Sequence, residues 1–224
     1  MMDAKSAVLT RLREALQVNG DDKARKAAVA ARLKSAPVGI IPARGQLPDK
    51  ERIALFLDRV SRVNVTVTKV KSLDGVPKAV SEYLRERNLP ATIIHGGDKR
   101  FGDMNWKGQK TLEVKTGPSD GTDENGLSFA YGGIAETGTL MLVSGADNPT
   151  TINFLPENHI VVLEASTIAG DLETLMQRLR QTYGKGEMPR TVNLVTGPSR
   201  SGDIEQTILL GAHGPRAVHL VLVG

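Results

Sequence analysis

The sequence predicts an α/β fold, a mainly parallel sheet sandwiched by helices and preceded by an N-terminal helical extension. Three observations carry this prediction. Short apolar strands alternate with amphipathic helical stretches, the order expected of β–α–β units. Polar, glycine-bearing loops adjoin strand ends, and α/β sheets place their ligands beyond the carboxyl ends of strands. The 224 residues suffice to bury a substantial core without disulfides or metal ions.

In chain order, Val8, Leu9, Leu12, Ala15 and Leu16 recur at helical spacing within Ala4 to Gln17. A second, alanine-rich helix follows Gly20 as far as Lys34, with Asp21 and Asp22 suited to its N-terminal end. The run SAPVGIIPARGQLP holds three prolines and two glycines and is expected to be a linker or wrapping arm. The expected organisation is a basic helical extension and linker over residues 1–45 and the α/β domain over 46–224.

Asp49 to Val60 reads as a helix with Ile53, Leu55, Phe56, Leu57 and Val60 on its buried side. Val63 to Val70 alternates as a strand, Gly75 to Asn88 returns to helix, and Ala91 to His95 is a short apolar strand ending at two glycines. His95 is either a turn residue or a group at a ligand-facing strand end. Residues 99–110 are irregular, with Trp106 expected to pack over the core. Thr111 to Lys115, Thr139 to Val143, His159 to Leu163, Thr191 to Val195 and Ala217 to Val223 read as strands, Ser128 to Ile134 leads into the loop before 139, and the ligand rule for α/β sheets favours a strand over 127–134. Asp171 to Thr182 is an amphipathic helix, with Leu172, Leu175, Met176 and Leu179 on its apolar side.

Composition excludes several functions. There is no cysteine, so the chain itself offers no iron–sulfur cluster, thiolate zinc site or cysteine nucleophile. No histidine pair has the i, i+4 spacing of a helical metal site, and no bound metal is expected. Residues 1–62 hold 13 Lys/Arg against 7 Asp/Glu, whereas the remainder holds 16 against 18. This basic segment reads as a solvated helical face, with an acidic partner as the alternative. Only eight residues are aromatic and none is interleaved with a basic run, so nucleic acid is not expected. No stretch approaches the ~20 apolar residues of a membrane span, and a cytoplasmic location is expected.

Three loops carry site chemistry. YGGIAETGTLMLVSG, Tyr131 to Gly145, sets Glu136 between glycines and beside the hydroxyls of Thr137 and Thr139, with Gly138 leaving room for close approach. Thr196 to Glu205, TGPSRSGDIE, follows a strand and is expected to open a helix. Ser199, Ser201 and backbone N–H groups would hold an anion there, Arg200 would supply charge-assisted bonds, and Asp203 and Glu205 would orient it or act on a substrate proton. A helix cap with glycine turns is the alternative for that segment. GAHGPR, 211–216, presents His213 for proton transfer with Arg216 beside it. Glu136 is expected within reach of Arg200 or His213, as an acid or as a structural ion-pair partner.

Together, GIAETGT (133–139), NFLPENHIVVL (153–163), TGPSRSGDIE and GAHGPRAVHLVLV (211–223) resemble the LUD-domain family, in particular its lactate-utilisation members. The order of these motifs and the basic helix VLTRLREALQ extend the resemblance through most of the chain; Ser144 to Pro149 departs from the family's glycine-rich segment. The resemblance implies a fold similar to the sugar-phosphate isomerase and CoA-transferase superfamily. It also implies a role as a subunit or accessory protein in oxidising L-lactate to pyruvate, beside iron–sulfur and LUD-domain partners, with no cofactor bound by this chain and the clusters in the partners. The residues leave two other functions open: a stand-alone enzyme acting on an anionic small molecule such as a sugar phosphate or acyl-CoA, and a regulatory binding module.

Overall fold

A computed structural model describes residues 3–35, 37–184, 186–204 and 207–224. They divide into two compact units, Met1–Ile40 and Ile41–Gly224. The first contains α1 (Ala4–Ala15) and α2 (Lys23–Ser35). Asp3 caps α1 by accepting from the amides of Lys5 and Ser6, and Asp22 does the same for α2 with Ala24 and Arg25. Neither helix buries a residue.

In the second unit α3 (Asp49–Arg62) leads through a tight turn, with Asn64 at φ +63°, into β1 (Val65–Val70). This left-handed residue delays the strand by two positions relative to the alternating pattern. Next come α4 (Val76–Glu86), β2 (Thr92–His95), the short α5 (Lys99–Gly102) and β3 (Glu113–Thr116). The single strand favoured over 127–134 is instead two, β4 (Asn125–Phe129) and β5 (Gly132–Ile134). After β6 (Thr139–Val143) and the short α6 (Thr150–Phe154) follow β7 (Asn158–Glu164), α7 (Leu172–Tyr183) and β8 (Val192–Val195). The chain closes with β9 (Arg200–Ile204), β10 (Thr207–Leu210) and β11 (Ala217–Val223).

The central sheet has the order β1-β11-β7-β4-β2-β3, and each neighbouring pair in it is parallel. A smaller antiparallel sheet, β5-β6-β8, lies over one of its faces. The break at Ala130–Tyr131 therefore carries the chain from one sheet to the other. Side-chain alternation builds the layers. Leu140 and Leu142 of β6 pack with Phe56 and Val60 of α3 and with Val161, Leu163, Leu220 and Leu222 of the central sheet. Met141, pointing the other way, meets Leu175 of α7. On the opposite face Val76, Val80 and Leu84 of α4 join Phe101, Leu127, Ile160 and Val221. Trp106 packs against that cluster and donates its indole N–H to the Phe101 carbonyl.

Among the described residues, 196–204 do not open a helix. Gly197 takes φ +84° with the Val63 carbonyl oxygen 2.5 Å from where a Cβ would stand, a turn closed to other residues. The Ser199 amide then donates to Pro215 and the Gly211 amide to the Ser199 carbonyl, which draws the chain into an extended hairpin. Arg200 pairs with Leu210 and Ser201 with Leu209 across β9 and β10. The helix N-terminus expected to hold an anion is absent from this segment, and its backbone N–H groups serve the hairpin. Glu205 and the Asp203 side chain lie outside what is described.

Candidate functional site

Glu136 sits in the turn between β5 and β6. Its side chain is only 9% exposed and pairs with Arg44, whose Nε lies 3.3 Å from Oε2. Its amide donates to the Gly170 carbonyl. The expected partnership with Arg200 is not made; the Arg200 guanidinium donates instead to the Val63 carbonyl at 3.2 Å, capping the C-terminal end of α3. Gly138 has φ +69°, and a Cβ there would stand 2.7 Å from the Arg59 Cβ and 2.8 Å from the Val60 amide nitrogen. Close approach is needed at this glycine, but the approaching group is α3.

The three nominated loops still meet through their hydroxyls and backbone. Thr137 and Thr139 share a hydrogen bond of 2.7 Å, and Thr139 shares another of 2.7 Å with Thr196. Three residues on, Ser199 Oγ accepts from the His213 amide at 3.3 Å. His213 and Arg216 line a groove of about 420 Å³ whose apolar wall is Phe154, Leu155 and Leu210. Arg216 pairs with Glu157 at 3.2 Å, while the Arg216 and Ala217 amides both donate to the Glu157 carbonyl. Because β7 and β11 begin here, the groove lies at the amino edge of the parallel sheet, opposite the edge that α/β sheets ordinarily use.

A second charged cluster occupies the carboxyl edge. Asp98, N-cap of α5, holds the Arg100 guanidinium through contacts of 2.6–3.3 Å, and Glu164 at the end of β7 takes Arg100 Nη1 at 3.1 Å. The same guanidinium lies 3.7 Å over the Phe129 ring, at the end of β4. Burial works against the Asp98 carboxylate, but its bonds to Arg100 outweigh that and hold its pKa below the usual value. The loop 144–149 rests on this edge: Gly96 lies so close to the Asp147 carbonyl that a Cβ has no room.

His159 and His219 are buried and held by neighbouring side chains. Ser128 Oγ lies 2.9 Å from Asn153 Oδ1 and shares a short hydrogen bond of 2.5 Å with His159 Nε2. Burial pushes His159 down to about 3, keeping it neutral. All three residues are about 1% exposed, which shuts this hydrogen-bonded group away from any ligand in solvent. His219 stacks on Tyr83 with ring centroids 4.0 Å apart and bonds the Thr66 hydroxyl at 2.8 Å; burial and the nearby Arg87 charge push it down to about 4. Among the described residues, no three His, Asp or Glu side chains form a metal cluster.

The family profile of the LUD domain matches residues 53–223. The chain belongs to the LUD domain family. It is 34% identical over 187 residues to lactate utilization protein C of Halalkalibacterium halodurans, covering 76% of this chain and 78% of that one. It is 28% identical over 190 residues to YkgG, an uncharacterized protein of Escherichia coli, covering 79% and 82%. A crystal structure of a DUF162 family protein from Deinococcus radiodurans shares the fold, with a TM-score of 0.58 and 21% identity over 80% of this chain and 99% of that one.

The LUD match takes in the central and antiparallel sheets and leaves α1 and α2 outside. Within the LUD domain, His95 is read from the sequence as a turn residue or a ligand-facing group, and Asp98, Arg100 and Glu164 beside it are not among the expected site residues. The available signal was HGGDKR directly after a strand, a capping Asp two residues before an Arg. Glu164 carried no comparable local signal, because it reaches Arg100 from a strand 64 positions away. Chemically, the carboxyl-edge arginine is held by carboxylates on two sides. The amino-edge groove instead presents an exposed imidazole, a guanidinium and an apolar wall, which together suit a small anion with an apolar body.

Proposed function

We propose that this LUD protein acts in lactate utilisation, as a cytosolic subunit or accessory protein of L-lactate oxidation to pyruvate beside iron–sulfur partner proteins. The observation that carries this reading is the 34% identity, across most of both chains, to a protein named lactate utilization protein C. The chain has no cysteine, which fits a subunit that leaves cluster chemistry to others. Deleting the gene should abolish growth on L-lactate as sole carbon source, and expression of this chain should restore it. Unchanged growth in a strain with no paralogue overturns the proposal.

A second reading, an enzyme acting by itself on an anionic small molecule, is favoured by the groove alone. There His213 would move a proton and Arg216 would hold the anion. Its volume falls within the range of small-molecule pockets, roughly 300–1,000 Å³. A thermal-shift series with L-lactate, pyruvate, sugar phosphates and acyl-CoA tests it, since a ligand at ~100 times its Kd stabilises by about 2.7 kcal/mol. No shift across the series removes this reading.

A further inference from the structure

We infer that α1 and α2 are a docking element for a partner protein that presents an acidic rim around an apolar groove. Given the reading above, that partner is the iron–sulfur protein of the lactate-oxidising assembly. Both helices are 12–13 residues long, about the length at which an isolated helix is marginal in water, and neither buries a side chain. Val8, Leu12 and the C-cap Leu16 follow one another at i, i+4 spacing along α1 and its end at 51–66% exposure, and Val29 and Leu33 do so along α2 at 52% and 76%. Such stripes ordinarily face a core, and these face none within their own unit.

Charge selects the partner. Residues 1–40 carry eight Lys/Arg against four Asp/Glu, a surplus equal to the +4 of the entire chain, so residues 41–224 are formally neutral. Two copies of the same net-positive segment repel, which disfavours self-association through it. A lipid surface is disfavoured because residues 1–40 contain no Phe, Trp or Tyr to sit at headgroup depth, and acidic residues interrupt the basic ones. An acidic protein surface satisfies both the charge and the apolar stripes. These helices also precede the residues matched by the LUD family.

The full chain is co-expressed with the iron–sulfur protein of the same organism, and the affinity is measured for three forms. These are the native chain, a charge variant (Arg11→Glu, Arg25→Glu, Lys26→Glu) and an apolar variant (Leu12→Ser, Leu16→Ser, Leu33→Ser). None of the six side chains is buried, so thermal unfolding of the domain should be unchanged and serves as the folding check. The native chain should bind, more weakly in high salt, and each variant should lose at least about tenfold in affinity. Amides of residues 4–15 and 23–35 should gain protection from hydrogen exchange only in the complex.

A complex that forms equally well with both variants overturns the docking inference and leaves the assembly reading standing. If the native chain forms no complex, both fall. Salt-sensitive binding of the chain alone to phosphatidylserine vesicles, or a dimer of the chain alone lost in both variants, assigns these helices to a membrane or to a second copy, and either result overturns the inference.

Discussion

The Arg200 guanidinium donates to the carbonyl oxygen of Val63, 3.2 Å away, and thereby ties the β9–β10 hairpin to the end of α3. Glu136, the carboxylate expected to receive it, is held by Arg44. Double-mutant cycles separate these pairings. Glu136 and Arg44 should show a coupling of about 0.5–1 kcal/mol, modest because Arg44 is exposed, whereas Glu136 and Arg200 should show none beyond ~0.3 kcal/mol. Arg200→Ala alone should lower stability by about 1 kcal/mol in urea unfolding, through loss of the cap. A large Glu136–Arg200 coupling would restore the single-site arrangement expected from the sequence.

Gly138→Ala should be among the costlier small substitutions in the protein. The residue must keep φ +69°, and its new methyl meets the backbone of α3, which cannot swing aside like a flexible side chain. A loss of at least about 2 kcal/mol is expected, read from the shift in urea midpoint. A near-neutral result would show that the 136–139 turn is free of α3.

Phe56→Ala tests the layer between α3 and the two sheets. Phe56 is fully buried and belongs to the cluster shared by α3, β6, β7 and β11. Its removal should cost about 3–5 kcal/mol in unfolding measurements. A cost under about 1 kcal/mol would contradict this packing.

Acid should destabilise the fold through His159 and His219. Their folded pKa values, about 3 and about 4, lie below the ordinary 6.5, so the unfolded chain takes up these protons first. The stability they support is complete above pH ~6.5 and declines as pH falls, by about 1.4 kcal/mol per pH unit for each histidine until its folded pKa is reached. Unfolding free energies between about pH 7.5 and 5 should show this slope, and His219→Gln should remove part of it. A flat profile would mean that both side chains are already solvated.

Much of the architecture was legible in the sequence because it is written in local periods. The apolar spacing of Ile53, Phe56 and Val60 marks α3, alternation marks β1, and the apolar runs at 159–163 and 217–223 mark the two strands at the heart of the sheet. The order of the four motifs was enough to point to the LUD family. Local pattern failed where two conformations share one composition. TGPSRSGDIE contains the residues of a helix cap, yet Gly197 against Val63 and Ser199 against Pro215 make it a hairpin. Likewise, nothing near Ala130 announces that the chain changes sheets.

What the sequence by itself determined, then, was the kind of elements, their order and the chemistry each loop carries. Only the tertiary structure decided which side chains answer one another: Arg44 rather than Arg200 for Glu136, Glu164 for Arg100, Asn153 and His159 for Ser128. The physical reason is range. A period of two or 3.6 residues is set by backbone geometry within one element, whereas partners 25 to 92 positions apart are chosen by strand register and by the stacking of layers. Those are properties of the whole packed core, and no single stretch of the chain contains them.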